Sequence, residues 1–466
     1  MNSPVSCRHL CAVALSIASV CLSGCARYQP RPLDLPTALD RYQARTLTDP
    51  GLARAVEPVH LAAWPPDVWD LQSLTFAGLY FHPDLSVSRA SWDLARAGLV
   101  TAGERPNPDV SAGPGYNSST PANTITPWIL NFNLDFTIET AGKRGYRVDQ
   151  AKRLAEAARY KVADTAWQVR ARLRQALLDL FTSTEVAAAL ERQRAIQENN
   201  VVLFQRQLDA GEISRFQMSQ ARLILNTLRL SLLDAQRQQR DARVRLATAV
   251  GLPVAALEDI AFGLDVFRLA PGDLPDAAAR RQALTNRADV LGALSDYEAS
   301  QASLQLEIAR QYPDIHLGPG YQMDQNSNKW TLLFGATLPA FNRNQGRIAE
   351  AEARRQVAAA QVEAVQARAL GAIDRALAAY RAALAKVSMA EQMIGELQAS
   401  EQTAQRQLTA GEISQLDLGI VQVELAGREL ARLEALAQAQ QALGDIEDAM
   451  QRPADLPLNP LPRPPQ

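Results

Sequence analysis

Side chains suited to chemistry are few in this sequence, and they are scattered. His60, His82 and His316 stand far apart, with no cysteine and no carboxylate repeated at the spacing of a metal site. Met389 and Met393 lie four residues apart and could offer two soft thioether ligands. A methionine pair on one helix face more commonly fills a core. There is no glycine-rich phosphate loop and no nucleophile with a base at a recognisable spacing. Catalysis therefore has no visible seat, and neither a cofactor nor a resident metal is expected. The near-neutral net charge of −2 gives no reason to expect nucleic acid as a partner.

One thiol does have a chemistry. Arg8 precedes an apolar stretch, Leu10–Leu22, that is too short to cross a bilayer as a helix. It ends in Leu22-Ser23-Gly24-Cys25, and small residues before a cysteine resemble the lipobox of bacterial lipoproteins. The expectation is a signal peptide over 1–24 and a lipid of the palmitate type on the freed Cys25. An ordinary secretory signal cut elsewhere is the alternative. Cys7, Cys11 and Cys21 would leave with the signal, so the mature chain would hold no internal disulfide. Ala26 stands where an Asp would favour retention at the inner membrane, which points to the outer membrane. An acyl chain anchors; it says nothing about spanning.

The rest of the chain is built around two tips. Gln205–Ser214 reads QRQLDAGEIS and Gln405–Ser414 reads QRQLTAGEIS, 200 residues apart. Gly211 and Gly411 supply the left-handed position that ends a helix. Ser214 and Ser414 are N-caps for the next helix, and Gln217 completes a capping box. Ile213 with Met218, and Ile413 with Leu418, have the spacing of a hydrophobic staple. Each copy is thus the tip of a helical hairpin, with proline-free helices over about 145–208 and 347–408 and return helices from Ser214 and Ser414. At 1.5 Å per residue the long helices approach roughly 95 Å. The helix at 83–103 and the first return helix together match the long one in length and could stack end to end beside it.

Between these helices lie segments of another kind. Trp128, Leu130, Phe132, Leu134, Phe136 and Ile138 alternate with Asn131, Asn133, Asp135 and Thr137, the period of a strand that is greasy on one side only. Trp330, Leu332, Phe334, Ala336 and Leu338 repeat the pattern, and Gly113-Pro114-Gly115-Tyr116 recurs as Gly318-Pro319-Gly320-Tyr321. The layout reads as signal 1–24, an extended arm 25–80, a first repeat 81–260, a connector 261–285, a second repeat 286–450 and a Pro-rich tail 451–466. Four strands with one lipid-compatible face cannot close alone, because exposed edges do not exist in hydrocarbon and closed barrels start at about eight strands. They must close with other copies. A small soluble sheet packed on the helices is the alternative.

Order and duplication of these motifs resemble the TolC family of outer-membrane efflux proteins over nearly the whole mature chain. The likeness rests on the lipobox at Cys25, His82-Pro83-Asp84-Leu85, the paired strand hairpins and the twin AGEIS tips. It implies a mainly α fold with a β-barrel portion: a trimer of long helical hairpins forming a periplasmic α-barrel beneath a shared twelve-stranded outer-membrane barrel. It implies an exit duct, not an enzyme, whose partners are a periplasmic adaptor and an inner-membrane pump of the RND type. The adaptor would meet the tips at Leu208, Gly211, Glu212, Ile213, Ser214, Leu408, Gly411, Glu412, Ile413 and Ser414, with the four apolar side chains free to offer contact. Asp417 would face the pore as a ring of carboxylates at the closed periplasmic end, although an acid three residues past Ser414 also suits a helix cap. The acid expected one turn later is Ile420, and the first-repeat counterpart is Gln217, so the ring would be one layer. Ile138–Gly145 (IETAGKRG) is similar to the heavy-metal-efflux branch. A duct for protein secretion and a periplasmic adaptor lipoprotein are the rival functions; two hairpins with two strand pairs speak against the adaptor.

Overall fold

Duplication of one helix–strand–helix plan governs the fold. The computed structural model describes residues 26–57, 64–119, 125–269 and 277–453. The signal segment, Cys25, His60 and the tail beyond 453 lie outside them. Two units divide after Arg45. The first holds α1 (Leu35–Gln43), which Asp34 caps by accepting the Thr37 amide at 3.3 Å. Asp34 and Pro36 start it, as a cap and a first-turn proline should.

In chain order the second unit carries α2 (Pro50–Val56), β1 (Val68–Trp69), α3 (Leu71–Phe81), α4 (Pro83–Gly103), β2 (Asp109–Tyr116), β3 (Trp128–Ile138), α5 (Lys143–Asp209), α6 (Arg215–Val250) and β4 (Ala261–Phe262). Then follow α7 (Ala277–Asn286), α8 (Ala288–Ala309), β5 (Ile315–Asp324), β6 (Ser327–Ala336), α9 (Gln345–Ala410) and α10 (Gln415–Met450). Helices α5 and α9 run unbroken for 67 and 66 residues, about 100 Å each at 1.5 Å per residue. Alanine, leucine, arginine and glutamine dominate them, all strong helix formers.

Along α5, α4 and α6 do lie end to end. They meet where Gly251 turns at φ +87°, and a Cβ there would sit 3.0 Å from the Phe81 carbonyl oxygen. Only glycine permits that approach. The second repeat stacks α8 and α10 on α9 in the same way, and at their junction the Ala288 amide donates to Gln451 Oε1 at 2.7 Å. Helix α5 also packs on α8 and α10, so one core runs through both repeats, with Leu173, Leu177, Ile373, Tyr380, Ala439 and Ile446 fully buried.

The strands form one antiparallel sheet in the order β2-β3-β5-β6. Register aligns Ala112, Phe132 and Tyr321 across three strands, and Phe136, Leu317 and Phe334 across another three. One face is therefore apolar except at Asn328, and the opposite face carries Asn131, Asn133, Asp135, Thr137, His316, Gln322, Lys329 and Thr331 together with Ile129 and Leu333. No described helix covers the apolar face: Phe132, Phe136, Trp330 and Phe334 are exposed, and Leu134, Leu317, Tyr321 and Met323 are half-buried. The sheet is thus not packed on the helices of its own chain. Tyr116 packs edge-on to Trp128 at 5.2 Å, and Tyr321 meets Trp330 at 4.8 Å. The first pair closes the β2–β3 hairpin end, whereas Tyr321 and Trp330 stand in register with Phe132 farther along the sheet. Strands β2 and β6 are the edges, each with one unpaired side.

Candidate functional site: hairpin tips, strand wall and helix seams

At both tips the backbone does what the sequence requires. Gly211 and Gly411 turn at φ +77° and +76°. The Glu212 amide then closes on the Gln207 carbonyl at 2.8 Å, and the Glu412 amide on the Gln407 carbonyl at 2.9 Å. Ser214 and Gln217 exchange both bonds of a capping box. On the second tip Asp417 completes the box, its Oδ2 accepting the Ser414 amide at 2.9 Å and the Ser414 hydroxyl at 2.7 Å. Those bonds, the hydroxyl first, hold the Asp417 carboxyl below its ordinary range. The capping role is thus present in the single chain.

Leu208, Ile213, Leu408 and Ile413 are half-buried, so each keeps part of its apolar surface outward. The staple partners Met218 and Leu418 are fully buried, so the apolar groups are drawn partly into the hairpin ends. The tips also hold outward Glu212 and Glu412, both exposed.

The octapeptide at 138–145 has an architectural task. Arg147 grips Glu139 through two bonds, at 2.6 and 3.2 Å, and donates to the Ala102 carbonyl at 2.8 Å. Lys143 is buried and reaches Asp314 Oδ1 at 2.7 Å and the Tyr312 carbonyl at 2.6 Å. The Thr140 amide meets the same Asp314 oxygen at 2.9 Å. Together these bonds clamp the start of α5 to the sheet and to the second repeat. The His82-Pro83-Asp84-Leu85 motif is likewise a joint: His82 Nδ1 accepts the Asp84 amide at 3.2 Å, and Asp84 pairs with Arg172 of α5 at 2.8 Å. On the polar strand face His316 Nδ1 lies 3.2 Å from Asp135. Among the described residues no three His, Cys, Asp or Glu side chains converge on a metal position.

A duplicated hairpin with an open-edged, one-sided sheet matches a known family. The model of outer membrane efflux proteins aligns with residues 79–252 and 279–450. The chain belongs to that family. Among its curated relatives is the cobalt-zinc-cadmium resistance protein CzcC of Cupriavidus metallidurans, 25% identical over 267 residues, 57% of this chain and 62% of that protein. The match thus spans less than two thirds of CzcC. The pyoverdine export outer membrane protein OpmQ of Pseudomonas putida is 25% identical over 415 residues, 78% of this chain and 83% of OpmQ. Among solved structures the outer membrane protein VceC of Vibrio cholerae superposes with a TM-score of 0.67 at 21% identity, covering 82% of this chain and 96% of that one. That likeness concerns the fold.

Two further features stand out in this efflux-family chain. The first is a buried ionic cluster between α5 and α10. Glu447 Oε2 lies 2.9 Å from Arg170 and 3.4 Å from Arg174. Arg174 also donates to the Gln440 carbonyl at 2.8 Å, and Trp167 Nε1 donates to Asp448 at 3.2 Å. Charged residues inside a helix ordinarily read as a solvated face, so periodicity gives no warning of them. The second is the row Phe216, Leu223 and Leu230 on α6, spaced by seven and exposed at 69, 66 and 66 %. Its spacing is a seam signal that the sequence does carry.

Proposed function

We propose that this chain is the outer-membrane exit duct of a tripartite efflux system, assembled as a homotrimer. One observation carries the reading: a sheet apolar on one face and polar on the other, with both edges open, mounted on helices about 100 Å long. Four strands from each of three chains make a twelve-stranded barrel, which removes the edges. The lumen is then lined by Asn131, Asn133, Asp135, Thr137 and His316. The helices carry the duct across the periplasm toward an adaptor and an inner-membrane pump of the RND type. Cargo is a small solute or metal ion. The CzcC relative and the 138–145 segment make cobalt, zinc and cadmium the first to test, and OpmQ's name adds pyoverdine. Uptake of cobalt, zinc and cadmium in a deletion strain, with and without the restored gene, decides: accumulation unchanged for every cargo class would sink the efflux reading.

A lipid anchor on Cys25 belongs to the same proposal. Mass spectrometry of the native N-terminus is expected to show an acylated cysteine at residue 25, and Cys25→Ser to remove the increment. An unmodified N-terminus would end this part of the proposal, while the strands could still span.

Docking of an adaptor at the two tips is supported by their shape: backbone groups satisfied, Glu212 and Glu412 held outward. Glu212→Lys with Glu412→Lys leaves both turns intact. The double variant is expected to lower export about tenfold or more, a decade for each 1.4 kcal/mol of docking lost, while the oligomer still assembles. Export at the wild-type rate would remove the tips from the interface.

Asp417 is proposed to face the pore as well as cap α10, three copies narrowing the periplasmic end and favouring cations. Asp417→Asn keeps an acceptor for Ser414 but removes the charge. Cation selectivity in planar bilayers is expected to fall; unchanged selectivity in an intact oligomer would leave Asp417 as a cap.

A further inference from the structure

A head-to-tail ring of duplicated chains has two kinds of seam, and one of them lies inside the chain. There α5 packs on α8 and α10, and β3 pairs with β5. Helices α5 and α6 map onto α9 and α10 at an offset of 200, while α4 maps onto α8 at 205. The other seam therefore joins α9 to α4 and α6 of a second copy, and β6 to its β2, by the same pairing rule. The faces this rule selects are the ones left open. Phe216, Leu223 and Leu230 on α6 are exposed, whereas their counterparts Leu416, Val423 and Leu430 on α10 are buried or half-buried. Val87 and Leu94 on α4 are exposed, whereas the counterpart Ala299 is buried and Gly292 lies against Tyr160 of α5. Met389 on α9 is exposed where Ala189 of α5 is covered.

Charge is reversed between the two seams. Inside the chain the long helix brings Arg170 and Arg174, and the return helix brings Glu447 and Asp448. At the other seam the position of Arg174 is taken by Asp374, that of Gln440 by Arg240, and those of Arg170, Glu447 and Asp448 by Leu370, Ala247 and Thr248. Asp374 is 73% exposed, and its nearest cation is Arg280 at 3.9 Å. Arg240 is exposed and makes no ion pair among the described residues. Arg174 meets Gln440 inside the chain, so the pairing rule sets Asp374 opposite Arg240.

We propose that Asp374 pairs with Arg240 of a second copy of this chain, and that this reversed polarity fixes the alternating order of repeats around the ring. The inference rests on the oligomeric duct reading above. A second copy docked like to like would lay α9 on α9, bringing Asp374 against Asp374, or α6 on α6, bringing Arg240 against Arg240, since the facing sides of α5 and α10 are already covered within the chain. Like charges meet in both wrong arrangements and opposite charges in the right one, so the seams are sorted by repulsion as well as attraction.

The test uses the full chain extracted from membranes in mild detergent, with assembly read by native mass spectrometry. Asp374→Arg and Arg240→Asp are each expected to reduce the multi-copy fraction about tenfold or more, and the double reversal to restore it. Both side chains are exposed in the single chain, so the circular dichroism of each variant is expected to match the wild type. Single variants that assemble like the wild type, or a double variant that assembles no better than either, would overturn the ionic key. A wild-type chain that forms no multi-copy assembly would instead overturn the duct reading beneath it.

Discussion

Glu447→Ala is expected to cost about 3–5 kcal/mol of folding stability, because it strands buried positive charge. Arg174 is buried between α5 and α10, and desolvation already pushes its pKa down. The guanidinium also lies 5.7 Å from the centre of the Phe267 ring, which closes that side against water. Without Glu447, Arg170 and Arg174 share the seam with Asp448 as the nearest remaining carboxylate. Denaturant titration of the helical circular dichroism measures the loss, and a change below about 1 kcal/mol, the range of exposed pairs, would show the cluster to be solvated. Asp448 gives the same seam a pH dependence. Burial, the largest cause, raises its pKa to about 6. The folded state therefore takes up a proton as pH falls through about 6, whereas the unfolded chain waits until about 3.9. For an acid raised in this way the sign is a gain: stability rises on acidification between those two values and is lost again as pH climbs through the upper one. Asp448→Asn, which can still accept from Trp167, is expected to abolish that rise and to stabilise the seam at pH 7.5.

Local physics made the tips and strands legible in the sequence. A left-handed glycine followed by a serine cap needs only a few neighbouring residues to define it, and the period of two in Trp128–Ile138 needs only the strand itself. The ionic seam was not legible. Arg174 and Gln440 stand 266 positions apart, and nothing near either residue marks it as covered. The partial burial of Leu208, Ile213, Leu408 and Ile413 is not legible for a related reason: their backbone caps are local, whereas their burial depends on how two helices close at the hairpin end. Most telling are Phe216, Leu223 and Leu230 beside Leu416, Val423 and Leu430. The spacing is identical and the exposure opposite, so the difference belongs to which helix lies opposite, not to the pattern.

Phe132→Arg and Asn133→Arg are expected to behave oppositely although the residues are neighbours. Phe132 lies in the apolar band, aligned with Ala112 on one side and Tyr321 on the other. It stands mid-strand, so in the proposed barrel an arginine there enters hydrocarbon near the midplane, at about 2–4 kcal/mol per chain. Asn133 points to the opposite face, aligned with Ser111 and Gly320. Its amide already lies over the glycine, where a Cβ added to Gly320 would collide with Asn133 Oδ1. Beyond it Gly318, Thr331 and Gly335 keep that wall low around the exposed Leu333, and an arginine at 133 can extend into water. Heat resistance of the assembled oligomer and its yield in the outer-membrane fraction report the difference. Phe132→Arg is expected to lose both, and Asn133→Arg to keep both. Equal tolerance would mean that neither face meets lipid, and the four strands would then have to hide their apolar side against a partner that is not a membrane.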